Sequence, residues 1–118
     1  MTLQAFYQTI HGNYDEPMSR LRKEPFLLKY IKLYAQDTTY QELLNAVAAQ
    51  DWKEAFRAAH SLRGIAEALG LTPLYETTRD LTEALRGDRP LTDERLLQAV
   101  TSVQESILAA LAELDAED

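Results

Sequence analysis

The chain has 118 residues, with 12 Lys plus Arg against 19 Asp plus Glu and a formal charge of -7. It contains no cysteine, which excludes a disulfide framework, thiolate zinc sites, iron–sulfur ligation and cysteine nucleophiles. No apolar run approaches the ~18–20 residues of a membrane span, residues 1–20 lack the basic-then-apolar order of a leader, and the acidic balance opposes nucleic acid as a partner.

A single domain over residues 1–118, long enough to bury its own core, is the expectation. It is expected to be soluble and cytoplasmic, with the acidic tail at residues 115–118 frayed. The charge is uneven. Residues 1–60 hold seven basic and seven acidic side chains, whereas residues 61–118 hold five and twelve. The local basic excess is Arg20, Arg22, Lys23, Lys29 and Lys32, read either as a solvated helix face or as a docking patch for an acidic protein.

Apolar spacings of three and four recur from end to end, and no segment alternates as a strand would. Thr2 can cap a first helix carrying Leu3, Phe6, Tyr7 and Ile10, ended by Gly12. A short helical turn follows around residues 17–22. Pro25 suits a helix start ahead of Phe26, Leu27, Tyr30, Ile31 and Tyr34. Thr39 and Glu42 form a capping box before Leu43, Leu44 and Val47. Asp51 and Glu54 open a helix from Trp52 to Leu69, closed by Gly70. Thr72 and Pro73 open the next, with Leu74, Thr78, Leu81 and Leu85 on one stripe, closed by Gly87. Thr92 opens the last, with Leu91 able to staple onto Leu96 and a stripe of Leu96, Val100, Val103, Ile107, Leu111 and Leu114. The expected fold is all-α: an up-down-up-down antiparallel four-helix bundle with one or two additional short N-terminal helices.

The helix from Trp52 to Leu69 carries the functional signal. At ~100° per residue, Ala55, Leu62, Ala66 and Leu69 share a sector flanked by Ala59 and Ile65, which must face the core. His60 falls nearly opposite and points outward, among Phe56, Arg57, Arg63, Gly64 and Glu67. Gly64 is anomalous, because an interior helix glycine costs roughly 1 kcal/mol relative to alanine. On an exposed face, its use is to leave the imidazole uncrowded for a foreign surface.

The stretch from Ala59 to Leu71 resembles the signature of histidine-containing phosphotransfer (HPt) domains: His60, any residue, Leu62, a basic Arg63, Gly64, then the pair Leu69-Gly70. The lead-in Asp51-Trp52-Lys53-Glu54-Ala55-Phe56-Arg57-Ala58 is also similar, and the stretch from Tyr14 to Leu44 looks like compact bacterial members. The resemblance implies a four-helix bundle and a phosphorelay intermediate. It would accept a phosphoryl group on His60 from a receiver-domain aspartyl phosphate, or from a kinase such as a hybrid histidine kinase, and pass it to another receiver aspartate. It implies no nucleotide site, and the chain has no Gly-x-x-x-x-Gly-Lys loop. It would be a stoichiometric carrier rather than an enzyme, with no cofactor or metal of its own. The magnesium needed for transfer would belong to the receiver.

Imidazole with an ordinary pKa of about 6.5 is a nucleophile near neutrality. By analogy with the family its far nitrogen, Nε2, attacks, while the other is hydrogen-bonded or wet. Arg63 takes the family's basic position, where a guanidinium can bind two phosphate oxygens. Arg57 is either a second phosphoryl contact or a solvated charge. Glu67 departs from the small or uncharged residue usual there, and is expected to pair with Arg63 at i, i+4. Phe56, Arg57, Ser61 and Glu67 are the expected partner-facing residues around His60, Arg63 and Gly64. His11 suits a helix C-terminus rather than chemistry. A di-metal bundle fails because Gln8 and Arg57, not Glu, stand three residues before the two histidines. Ser61 has no nucleophile elbow. The rival reading is a non-catalytic adaptor of the same fold. A free-standing monomer is expected.

Overall fold

The computed structural model describes residues 1–116. It is all-helical there, with α1 (Leu3–Thr9), α2 (Asp15–Leu21), α3 (Glu24–Tyr34), α4 (Thr39–Ala48), α5 (Trp52–Leu69), α6 (Thr72–Leu85) and α7 (Glu94–Ala116). The rest of the acidic tail for which fraying is expected, residues 117 and 118, lies outside the described residues.

Three helices precede α4, where one or two short ones were expected. The cause is Arg22, whose left-handed φ of 66° ends α2 and turns the chain into α3. With 11 residues, α3 is not shorter than α4, which has 10.

The helix ends follow local chemistry, with some corrections. The Thr2 hydroxyl accepts from the Ala5 amide at 3.1 Å, and Asp51 accepts from the Glu54 amide at 3.2 Å. At α4, however, Asp37 rather than Thr39 supplies the cap, accepting from the Thr39 amide at 2.8 Å. Glu42 instead accepts from the Thr38 hydroxyl at 3.0 Å. At α7 the cap is Asp93 rather than Thr92, accepting from the Arg95 amide at 3.0 Å. A nearby carboxylate outcompetes the hydroxyl because its full charge suits a helix N-terminus better. The α1 turn places His11, not Gly12, in the left-handed region, at φ 57°. Gly12 is needed for a different reason: a Cβ there would lie 2.8 Å from the Gly70 carbonyl oxygen and 2.8 Å from the Tyr7 ring.

The core is continuous from α1 to α7 and includes Phe6, Tyr7, Leu27, Ile31, Leu62, Leu81 and Ile107, all buried. Buried polar groups are satisfied. Thr78 and Thr82 donate to the Leu74 and Thr78 carbonyls, each at 2.6 Å, and Tyr34 donates to buried Gln104 on α7. Burial raises the Tyr34 hydroxyl well above the ordinary tyrosine range and keeps it a donor.

Helix α5 packs against α4 on one side and α6 on the other. Its last carbonyls have no intrahelical partner, and its last turn carries no basic residue. The N-terminal helices supply the missing donors. Arg20 of α2 donates to the Ala68 carbonyl, the Tyr7 hydroxyl donates to the Leu69 carbonyl at 2.6 Å, and the Asn13 amide donates to the Gly70 carbonyl at 2.8 Å. Gly70 sits at φ 68°, and a Cβ there would lie 2.1 Å from the Asn13 oxygen. The α1–α2 segment is therefore the cap of the helix that carries His60.

Candidate functional site

Helix α5 buries Ala55, Ala58, Ala59, Leu62 and Ala66, and these residues orient the rest of it. His60 lies in the middle of the helix and is exposed, as its wheel position requires. Gly64, one turn later, is also exposed. A Cβ built on it meets nothing within 4 Å, so packing within the chain does not account for the glycine.

The Phe56 ring stacks on the imidazole, with centroids 6.0 Å apart and planes 18° apart. Phe56 itself is half-buried and lies under the Arg86 guanidinium, 5.8 Å from the ring centroid. On the α6 side of the site Arg63 lies 5.7 Å and Arg79 5.9 Å from the Tyr75 centroid. Arg63 meets Tyr75 near the α5–α6 turn and Phe56 meets Arg86 at the far end, so the two helices run antiparallel. Their seam beside His60 is a cationic strip backed by aromatic rings.

The cations differ in availability. Arg57 is bound to Glu54 through both carboxylate oxygens and to Glu42 of α4 at 2.9 Å. The Glu54 hydrogen bonds raise the Arg57 guanidinium above its ordinary value and hold the Glu54 carboxyl below its own. Beside the two expected readings of Arg57, the geometry gives it a third role, a tie between α4 and α5. Arg86 is held by Glu83 at 2.6 Å, and Arg79 lies 3.4 Å from Asp80. Among the described residues Arg63 has no ion pair. The expected Arg63–Glu67 pair is not formed, because the guanidinium turns to the Tyr75 face while Glu67 stays exposed. Ser61 is half-buried on the other flank of α5. His11 is exposed at the end of α1.

Residues 35–117 match the family model of the Hpt domain. The chain belongs to the Hpt domain family. Hpt domains are helical phosphocarrier modules, not enzymes, and act in histidine phosphotransfer with receiver domains and kinases of two-component phosphorelays. In this Hpt domain the matched segment contains α4 to α7 and the whole His60 site. It starts at Ala35, so the likeness expected from Tyr14 onward is not carried by the match, and α1 to α3 lie outside it. Neither a curated protein nor a solved structure gives a significant match. No helix among the described residues is long and apolar enough to cross a membrane.

Sequence reasoning missed the α6 contribution. Tyr75 and Arg79 stand four residues apart on one face of α6, and Arg86 is the residue that ends it, so the signal was present. What was lacking was the knowledge that this face adjoins His60.

Proposed function

We propose that this Hpt domain is a phosphorelay intermediate with His60 as its phosphoacceptor. The observation that carries this reading is an exposed imidazole beside an open Gly64 and an Arg63 that forms no ion pair among the described residues. A lone pair on the far ring nitrogen attacks phosphorus in a receiver's aspartyl phosphate. The nitrogen–phosphorus bond forms as the phosphorus–oxygen bond breaks, and its electron pair leaves on the aspartate carboxylate. The reverse step delivers the group to a second receiver's aspartate, and a kinase is the other source. Negative charge on the equatorial oxygens falls beside Arg63, which forms no ion pair among the described residues. The magnesium ion belongs to the receiver. The chain acts as a stoichiometric carrier, in the cytoplasm and as a monomer. The up-down-up-down order of α4 to α7, which puts the middle of α5 on an outer face, belongs to the same reading.

The test is labelling with phosphoramidate. We expect one phosphate per chain, lost in acid and stable in base, and absent from His60→Gln. His11 serves as the internal control. Equal labelling of His60→Gln would remove the assignment. A chain that binds receivers yet never becomes labelled would be an adaptor of the same fold.

A further inference from the structure

Among the described residues four large apolar side chains are exposed, and three of them lie on α3: Phe26 at 50%, Tyr30 at 45% and Leu33 at 51%. Their spacing of four and three places them on one flank of the helix. That flank is not the outward pole of α3. It borders a groove of about 260 Å³ lined by Tyr30, Leu33 and Tyr34 from α3, by Asp37 just beyond it, and by Ile65, Ala68 and Leu69 from α5. Ala68 in turn continues the exposed α5 stripe of His60 and Gly64, at steps of four residues. The apolar surface on α3 is thus joined to the phosphoacceptor along α5, with Ala68 about 12 Å from His60 along the helix axis.

A typical stable interface covers about 800 Å² per partner, roughly 30 Å across. A receiver whose aspartate reaches His60 therefore also covers Ala68 and the groove. The patch is basic at its α3 N-terminal end and along one side, with Asp37 at the opposite end. Arg22 and Lys23 are exposed where α3 begins, and exposed Lys29 follows on the adjoining face. This is a positive rim on a chain whose net charge is -7. What favours a receiver over a second copy of this chain is the continuity of the patch with His60, which a receiver must cover to react.

We infer that α3 is the partner-selecting surface of this Hpt domain: it docks an apolar, acid-edged surface of the receiver whose aspartate meets His60. The inference rests on the relay reading. It divides the labour: α5 and α6 supply the chemistry common to all partners, while α3, which lies outside the family-matched segment, selects among them.

The experiment uses the full chain and isolated receiver domains from the cell that makes it, each phosphorylated with acetyl phosphate. The variants are Tyr30→Glu and Leu33→Glu. Leu108→Glu, at the remaining exposed large apolar residue, is the control. Phosphoramidate labelling of His60 is expected to stay within about twofold of the parent in all three, which also reports intact folding. The receiver concentration giving half-maximal transfer is expected to rise at least tenfold in both α3 variants, equivalent to about 1.4 kcal/mol, and to be unchanged in Leu108→Glu. Unchanged transfer in the α3 variants, or an equal loss in Leu108→Glu, would overturn the inference and leave the relay reading standing. Transfer to the parent from no receiver would overturn both.

Discussion

The Phe56 ring lies nearly parallel to the His60 imidazole, one helical turn away and 6.0 Å between centroids. Such a contact restricts the histidine rotamers without using either ring nitrogen, so the imidazole is held with its nitrogens open. Aromatic pairs contribute about 0.5–1.5 kcal/mol beyond their burial. Phe56→Leu keeps the apolar volume and loses the stack. We expect His60 labelling by phosphoramidate to slow by about twofold to tenfold, while Phe56→Tyr stays near the parent rate. Equal rates in the leucine and tyrosine variants would deny the stack a positioning role.

Gly64 separates stability from function. Its Cβ direction is empty, so Gly64→Ala removes backbone entropy from the unfolded chain and meets no clash. Thermal or urea unfolding should show a gain of about 1 kcal/mol. Transfer from a phosphorylated receiver should fall, and fall further in Gly64→Gln, because each added atom stands where the partner must approach. A stabilised variant with full transfer would show that the glycine has no role in access.

Arg57 is expected to be dispensable for transfer. Arg57→Ala should leave receiver-to-His60 rates within about twofold, since its guanidinium is committed to Glu54 and Glu42. The stability effect carries a pH signature. Hydrogen bonding to Arg57 depresses the Glu54 carboxyl below its ordinary 4.5. A depressed acid adds stability that is present above its unfolded pKa and lost as pH falls through the folded one. The gap in melting temperature between parent and Arg57→Ala should therefore be present at pH 7 and close below pH 4.5. A gap that persists unchanged in acid would assign it to packing.

Arg63 and Glu67 should behave oppositely. Arg63→Ala removes the unpaired cation beside the site and should slow transfer by about tenfold to a hundredfold, the worth of one charge-assisted hydrogen bond. Arg63→Lys should recover only part, because a point charge replaces a two-pronged donor. Glu67→Ala should leave transfer intact or slightly faster, since no pair with Arg63 is lost and a nearby negative charge is removed. A large drop in the Glu67→Ala rate, measured by single-turnover phosphotransfer, would contradict this.

Gly70 should tolerate no substitution. Its φ of 68° and the Asn13 oxygen 2.1 Å from a built Cβ oppose any side chain. Gly70→Ala is expected to cost more than about 2 kcal/mol in chemical denaturation, combining left-handed strain with displacement of the α1–α2 cap. A loss near that of a simple surface change would show that the cap can move aside.

Much of the site could be read from local spacing alone. The outward direction of His60, the neighbouring Gly64 and the closing Gly70 follow from the helical period and the φ demands of single residues, which depend on a few neighbours in sequence. The exposed Phe26 and Tyr30 could not be separated from buried Leu27 and Ile31 in this way, because an apolar residue reads alike whether another helix covers it or not. Arg57 could be read as a phosphate ligand or as a solvated charge until Glu42 arrived from another helix. Arg63 looked like a partner for Glu67 until the ring of Tyr75 lay beneath it. The donors that finish α5, Tyr7 and Arg20, stand 62 and 48 residues from the carbonyls they reach. One chain thus determined where its helices begin, end and turn their apolar sides. Only the packing of those helices decided which charges were already spoken for and which apolar flank stayed bare, since both depend on neighbours that are distant in sequence.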